Sequence, residues 1–424
     1  MLSPIQALRW STLRRFETFA RFYIAFENLF TGMSPFRVRT PGGFLLVTLA
    51  LLGLSVPCSS QWLGSPSSEA HTHRGIDYVY NLSFDSARAE FQQVVNEQPQ
   101  HPAGYFFLAM VDWWKIVCDI DNTAHDERFL SELDRVIDLC DKRLDENEND
   151  VAALFFKGGA LGFRGRLHGN REDWVKAAND GRTALPIIRK AYALAPNNDD
   201  VLLGIGIYNY YAEIVPEQYP FVKPLMIFFP KGDKNKGIRQ LRQASEQAAY
   251  ANVEATYFLM QLFQNYEKQY GEALQFALKL HKRYPDNVLF HKYVGRGYAA
   301  IGNWPQMKTI FSDISERVKE NRTGYNSTVE REAQYFLGLC DMNDANYDAA
   351  LGHLYRADEL SRGVDRREQS GFMVMINLKI GLIYDMQKKR DLAVSQYNKV
   401  LKMSDYQDAH KQAEQYLKQP YGKF

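Results

Sequence analysis

The sequence predicts an all-α fold, a right-handed solenoid of antiparallel helix pairs ending in a capping helix. Two observations predict it. Small and aromatic residues recur at fixed spacing along most of the chain, and 46% apolar residues over 424 positions can supply a long continuous core. Gly and Pro stand at ordinary levels and aromatic residues at 13%, which excludes a disordered or fibrous chain.

The repeats justify each element in turn. Gly75, Tyr78, Ala87, Phe91 and Pro99 open the series. Second helices of later units carry Ala184, Ile188, Ala191 and Pro196, then Ala273, Ala277, Leu280 and Pro285. Gly295, Tyr298, Met307, Phe311 and Ile314 follow, with Met307 where a small residue is expected. Two more units are Gly338, Ala350, Leu354 and Ala357, and Gly381, Tyr384, Ala393, Tyr397 and Val400. Glycines 295, 338 and 381 lie 43 residues apart, so the helices or inter-repeat turns there are longer than a 34-residue unit needs. Tyr406 to Leu417 is polar on one face, as a terminal cap should be.

The G-x-x-Y…A-x-x-x-F…P spacing resembles the tetratricopeptide-repeat (TPR) family, in an exported bacterial form. That resemblance implies helix pairs whose small residues permit close approach, and a concave groove that takes a peptide or helical segment of a protein partner. The first helices would supply the groove: Trp113 and Trp114, Tyr210 and Tyr211, and the cations Lys292 and Arg296 one turn apart. Aromatic and Arg side chains are common anchors of binding surfaces, although Trp and Tyr in helices also serve as core.

Two stretches interrupt the pattern and read as insertions, near residues 155–175 and 212–236. The first, Leu154 to Asn170, is rich in Gly and Arg but lacks the order of a phosphate loop. Close packing by Gly158, Gly159 and Gly162, with Arg164 and Arg166 solvated or capping a helix, explains it. In the second, Pro216, Pro220, Pro224 and Pro230 interrupt an apolar segment from Tyr219 to Phe229 that packs on the solenoid or meets a membrane or a partner. Over a short length these stretches also resemble a eukaryotic TPR family associated with the mitochondrial outer membrane.

The N-terminus reads as a targeting segment. Phe44 to Val56 is the length of a signal-peptide core, with Arg37 and Arg39 before it and the small residues of Cys58-Ser-Ser60 after it. Residues 33–60 are then a signal peptide starting at Met33, and 1–32 a leader ahead of the true start. The stretch Arg14 to Phe30 alternatively forms an amphipathic surface helix. Cys58 follows Leu54-Ser-Val-Pro57, which resembles a bacterial lipobox except that Pro57 stands where Gly, Ala or Ser is required. Cys58 is thus a candidate lipidation site, residues 61–72 a flexible tether, and 73–424 the solenoid. The expected location is outside the inner membrane, in the periplasm or envelope, with a Cys58 lipid or an uncleaved signal anchor as the means of retention.

Composition and motifs narrow the function. Beyond residue 60 the chain carries 45 basic and 48 acidic side chains, which disfavours nucleic acid as a partner. Cys58, Cys118, Cys140 and Cys340 form no zinc spacing; Cys118 and Cys140 are either free thiols or a bridge between neighbouring helices. No nucleophile-elbow, zincin or dinucleotide signature occurs, His71 and His73 fall in the tether, and Asp119 to Asn122 reads as a helix-ending turn. No catalytic residue, metal or cofactor is expected. The leading function is a non-catalytic protein-interaction scaffold of the envelope; a membrane-tethering or lipid-associated protein using residues 219–229 is the alternative, with peripheral membrane contact, and an enzyme of unrecognised type the last.

Overall fold

A computed structural model describes residues 62–218, 223, 229–365 and 369–422. The signal peptide, the leader and Cys58 lie outside the described residues, as does most of the apolar 219–229 segment.

The chain is an all-α solenoid. In order, the helices are α1 (Pro66–Tyr80), α2 (Phe84–Glu97), α3 (Pro102–Cys118), α4 (Asp126–Glu146), α5 (Val151–Asn170), α6 (Trp174–Leu194), α7 (Val201–Gln218), α8 (Lys234–Gln247), α9 (Asn252–Asn265), α10 (Tyr270–Arg283), α11 (Val288–Ala300), α12 (Trp304–Lys319), α13 (Ser327–Asn343), α14 (Tyr347–Val364), α15 (Gly371–Met386), α16 (Arg390–Val400) and α17 (Ala409–Lys418). Successive helices pack as pairs and α17 caps the last pair. None of the described helices is long and apolar enough to cross a membrane.

Local chemistry sets the boundaries. Side chains of Ser65, Asp150, Asp173, Asp233, Asn326 and Ser370 accept backbone N–H bonds from the first turns of α1, α5, α6, α8, α13 and α15. Six of the pairs turn through one left-handed residue shortly after the first helix: Leu82, Glu172, Lys268, Gly302, Ala345 and Lys388. At five of them the following N–H reaches back to the carbonyl five residues earlier, as Ser83 N to Tyr78 O and Lys389 N to Tyr384 O at 2.9 and 2.8 Å, so the turn satisfies otherwise orphaned acceptors.

The repeat motif has a direct packing meaning. A Cβ placed on Gly75, Gly295, Gly338 or Gly381 would lie 2.3 to 2.8 Å from Phe91, Phe311, Leu354 or Tyr397, the residue sixteen positions later. Glycine therefore lets the second helix press a large side chain onto the first. Second helices bury one stripe, such as Ala87, Phe91 and Val94 or Ala393, Tyr397 and Val400, while first helices such as α3 are buried on almost every side. The long interval from Gly295 to Gly381 is accommodated by helices of 16 to 18 residues, against 14 in α2 and α10.

Three expectations require correction. From residue 62 the expected 61–72 tether is no flexible segment: Trp62 and Leu63 are buried, and α1 begins at Pro66, so His71 and His73 are helical, with His71 Nδ1 2.6 Å from Glu90. The stretch 155–175 is no insertion but the body of α5 and the turn into α6. Pro216 does not break its helix, since α7 runs on to Gln218. Cys118, Cys140 and Cys340 are free thiols.

The first turn of the solenoid closes on itself. The Trp62 indole donates to Asp200 Oδ2 at 2.7 Å and stacks on Phe155 with centroids 4.5 Å apart. The N–H groups of Tyr250 and Ala251 donate to the other oxygen of Asp200 at 2.8 and 2.9 Å. Farther along, Asp77 accepts from Tyr284 Oη at 2.8 Å and Asn287 Nδ2 donates to the carbonyl of Tyr80 at 2.8 Å. Helix α1 is thereby sewn to α9, α10 and α11 along a seam.

A candidate binding cavity inside the first turn

Closing a ring of helices leaves a space where their inner faces cannot meet. Here it is a cavity of about 930 Å³, bounded by α1, α3, α5, α6, α7, α9 and α11. That volume lies within the range of small-molecule sites. Its wall is apolar and aromatic, with Phe106, Phe107, Phe163, Phe258, Tyr211 and Tyr266 among the lining.

Glycines of α5 shape the space in two ways. A Cβ on Gly158 would meet Ile188 at 2.8 Å and one on Gly159 would meet Phe106 at 3.2 Å, so both serve close packing as expected. Gly162, on the contrary, has nothing among the described residues within 4 Å of a Cβ, and neither has Gly181 of α6. Both line the cavity and both are exposed.

Two charged side chains enter this apolar space. Arg166 is half-buried; its guanidinium sits 5.0 Å from the Trp113 ring and 5.1 Å from the Phe258 ring, and its buried Nη1 has no partner among the described residues. Glu254, 6% exposed, accepts at Oε1 from Trp114 Nε1 at 3.1 Å and Tyr80 Oη at 3.2 Å, while Oε2 is buried without a partner among the described residues. Burial pushes the Glu254 carboxyl above its usual range, against the opposing pull of Arg166 and those two hydrogen bonds. Arg164, by comparison, pairs with Asp180 and Asp134, both at 2.6 Å.

The residues expected to line a groove are distributed differently. Trp113 and Trp114 are 1% exposed and Tyr210 is fully buried, its hydroxyl donating to Glu267 at 2.8 Å. These three belong to the packed core, with Trp114 at its border with the cavity; Tyr211 lines the cavity, in a ring cluster with Tyr210 and Tyr266. Lys292 and Arg296 meet on Glu332, with Lys292 Nζ at 3.3 Å and Arg296 Nη2 at 2.6 Å. The two cations hold the Glu332 carboxyl down at about 2, against the opposing effect of burial.

Sequence reasoning missed the Arg166 and Glu254 pair although both left a trace. Arg166 lies within the Gly-rich stretch, and Glu254 is the sole charge in the otherwise uncharged Asn252–Asn265 helix. An acid in a first helical turn has an ordinary explanation in the helix dipole, which hid the second.

No protein-family model matches the chain, and no curated protein does either. Among solved structures it is similar to a thermophilic TPR protein from Thermus thermophilus, at 16% identity over 55% of this chain and 98% of that one, with a TM-score of 0.33. It is also similar to the human IFIT1 dimer with m7Gppp-AAAA, at 13% identity over 83% of this chain and 85% of that one, TM-score 0.40. A Rap protein complexed with competence and sporulation factor matches at 13% identity over 83% and 80%, TM-score 0.33. The helix pairing of the chain itself, not these likenesses, carries the fold.

Proposed function

We propose that the chain is a non-catalytic protein-interaction scaffold of the cell envelope that receives a peptide or helical segment along the first helices of its repeats. The observation that carries the reading is the charge of the Lys292, Arg296 and Glu332 cluster. Two cations face one carboxylate, and the cations remain 12% and 19% exposed at their side chains. A segment bearing an acidic anchor is the complement of such a surface.

The test is recovery of a partner by the intact chain and by the double variant Lys292→Gln with Arg296→Gln, with thermal melting as the control for folding. Loss of the partner from a folded variant supports the reading; equal recovery from both overturns it. The envelope location rests on the charged flank, apolar core and small-residue exit of the N-terminus. N-terminal sequencing of mature protein tests it: a start near Ser60 supports export, a lipid on Cys58 supports anchoring, and a start at Met1 or Met33 overturns cleavage.

A further inference from the structure

The cavity lies against the inner faces of α1, α3, α5, α7, α9 and α11, and the seam from Trp62 to Asn287 closes one side. Its composition specifies a guest with a long apolar body, since aromatic and aliphatic walls gain by shedding water and offer little to a polar chain. The head is specified by the two open valences. Arg166 and Glu254 both line this space, and Arg166 Nη1 and Glu254 Oε2 are buried without a partner among the described residues. Leaving both unmet is costly, so the natural complement supplies an acceptor for the arginine and completes the glutamate.

We propose that this cavity binds one long-chain monocarboxylic acid, whose carboxylate accepts from Arg166 Nη1 while its chain lies along the wall formed by Phe106, Phe163 and Phe258. Glu254 would otherwise repel that carboxylate; the burial that favours its neutral form turns Oε2 into a second donor to the same head. Gly162 and Gly181 leave open space along the lining that a larger side chain would fill.

The test is calorimetric titration of the full chain with hexadecanoate below its aggregation concentration, with hexanoate, hexadecan-1-ol and hexadecylamine as comparators. Hexadecanoate is expected to bind tightest, with Arg166→Gln weakening it about tenfold or more and leaving hexadecan-1-ol little changed. Glu254→Gln keeps a neutral donor and is expected to retain hexadecanoate within a few-fold. Gly162→Trp fills open space and is expected to abolish binding without lowering the melting temperature, so the proposal stays testable even if the Arg166 variant misfolds. The proposal is overturned if hexadecylamine binds best and Glu254→Gln abolishes that binding. It is equally overturned if hexadecanoate binds no better than hexanoate or the alcohol, or if Gly162→Trp leaves binding unchanged.

Discussion

Helices α1 to α9 and α11 to α17 are built from the same pair, yet the first set forms most of the wall of a cavity, which α11 only borders, while the second stacks its pairs through their own glycines. In α11 to α16 each motif glycine lies under a large side chain of its own partner helix, so the pair interface absorbs it. In α5 to α8 the glycines do other work. Gly206 and Gly237 bring the backbones of α7 and α8 together, with a Cβ on Gly237 only 2.7 Å from the Gly206 carbonyl, while Gly162 and Gly181 face open space. The position of glycine on the helix, more than its number, decides whether a pair yields a filled layer or a curved wall around a cavity.

The seam offers the largest test of that contrast. Trp62→Ala removes a buried stacked ring and a donor to buried Asp200, and is expected to cost about 3–5 kcal/mol in chemical denaturation. The loss should emerge in the first nine helices as an earlier transition separate from that of α11 to α17. A single unshifted transition would show that the seam does not hold the first turn. Next comes glycine itself: Gly381→Leu drives a side chain into Tyr397 and should destabilise by about 1–3 kcal/mol, whereas Gly162→Ala should stabilise by up to about 1 kcal/mol. Equal effects of the two would erase the distinction between the regions.

Acid should strain both. Burial holds His101 down at about 4 and His291 at about 3, so each is neutral in the folded chain well below the unfolded value near 6.5. Stability from these groups is complete above 6.5 and is lost as pH falls through the window toward 4 and then 3, by up to about 1.4 kcal/mol per pH unit for each. His101→Gln should flatten the acid limb measured on the first turn and His291→Gln that of its seam with α11; unchanged limbs would contradict the burial. The smallest effects are expected at the turns. Lys388→Gly relieves a left-handed residue at φ 61 and should gain about 1 kcal/mol, while Gly302→Ala at φ 73 should lose a similar amount.

The region from α11 to α16 is the legible one. Gly295, Gly338 and Gly381 signal their helices because each contact lies sixteen residues away, within one repeat, where local spacing records it. The closed region depends on pairs that no spacing can show: Trp62 with Asp200, Tyr80 with Glu254, Asp77 with Tyr284. That is why residues 61–72 read as a tether, and why Arg166 reads as a solvated residue of a Gly-rich stretch when it lies over Trp113. Lys292 and Arg296 are legible as neighbours on one helix face, but Glu332, on another helix, is invisible without the fold.

The seam also sets a clock. Trp62 and Asp200 are 138 residues apart, and Asp77 and Tyr284 are 207 apart, while helix pairs need only their immediate neighbours. At usual rates of synthesis Trp62 waits on the order of ten seconds after emerging before Asp200 follows, long after α1 and α2 can have paired. Throughout that interval the future interior is an open trough of aromatic side chains. Ring closure is thus a late step, which waits until the chain past Asn287 has emerged.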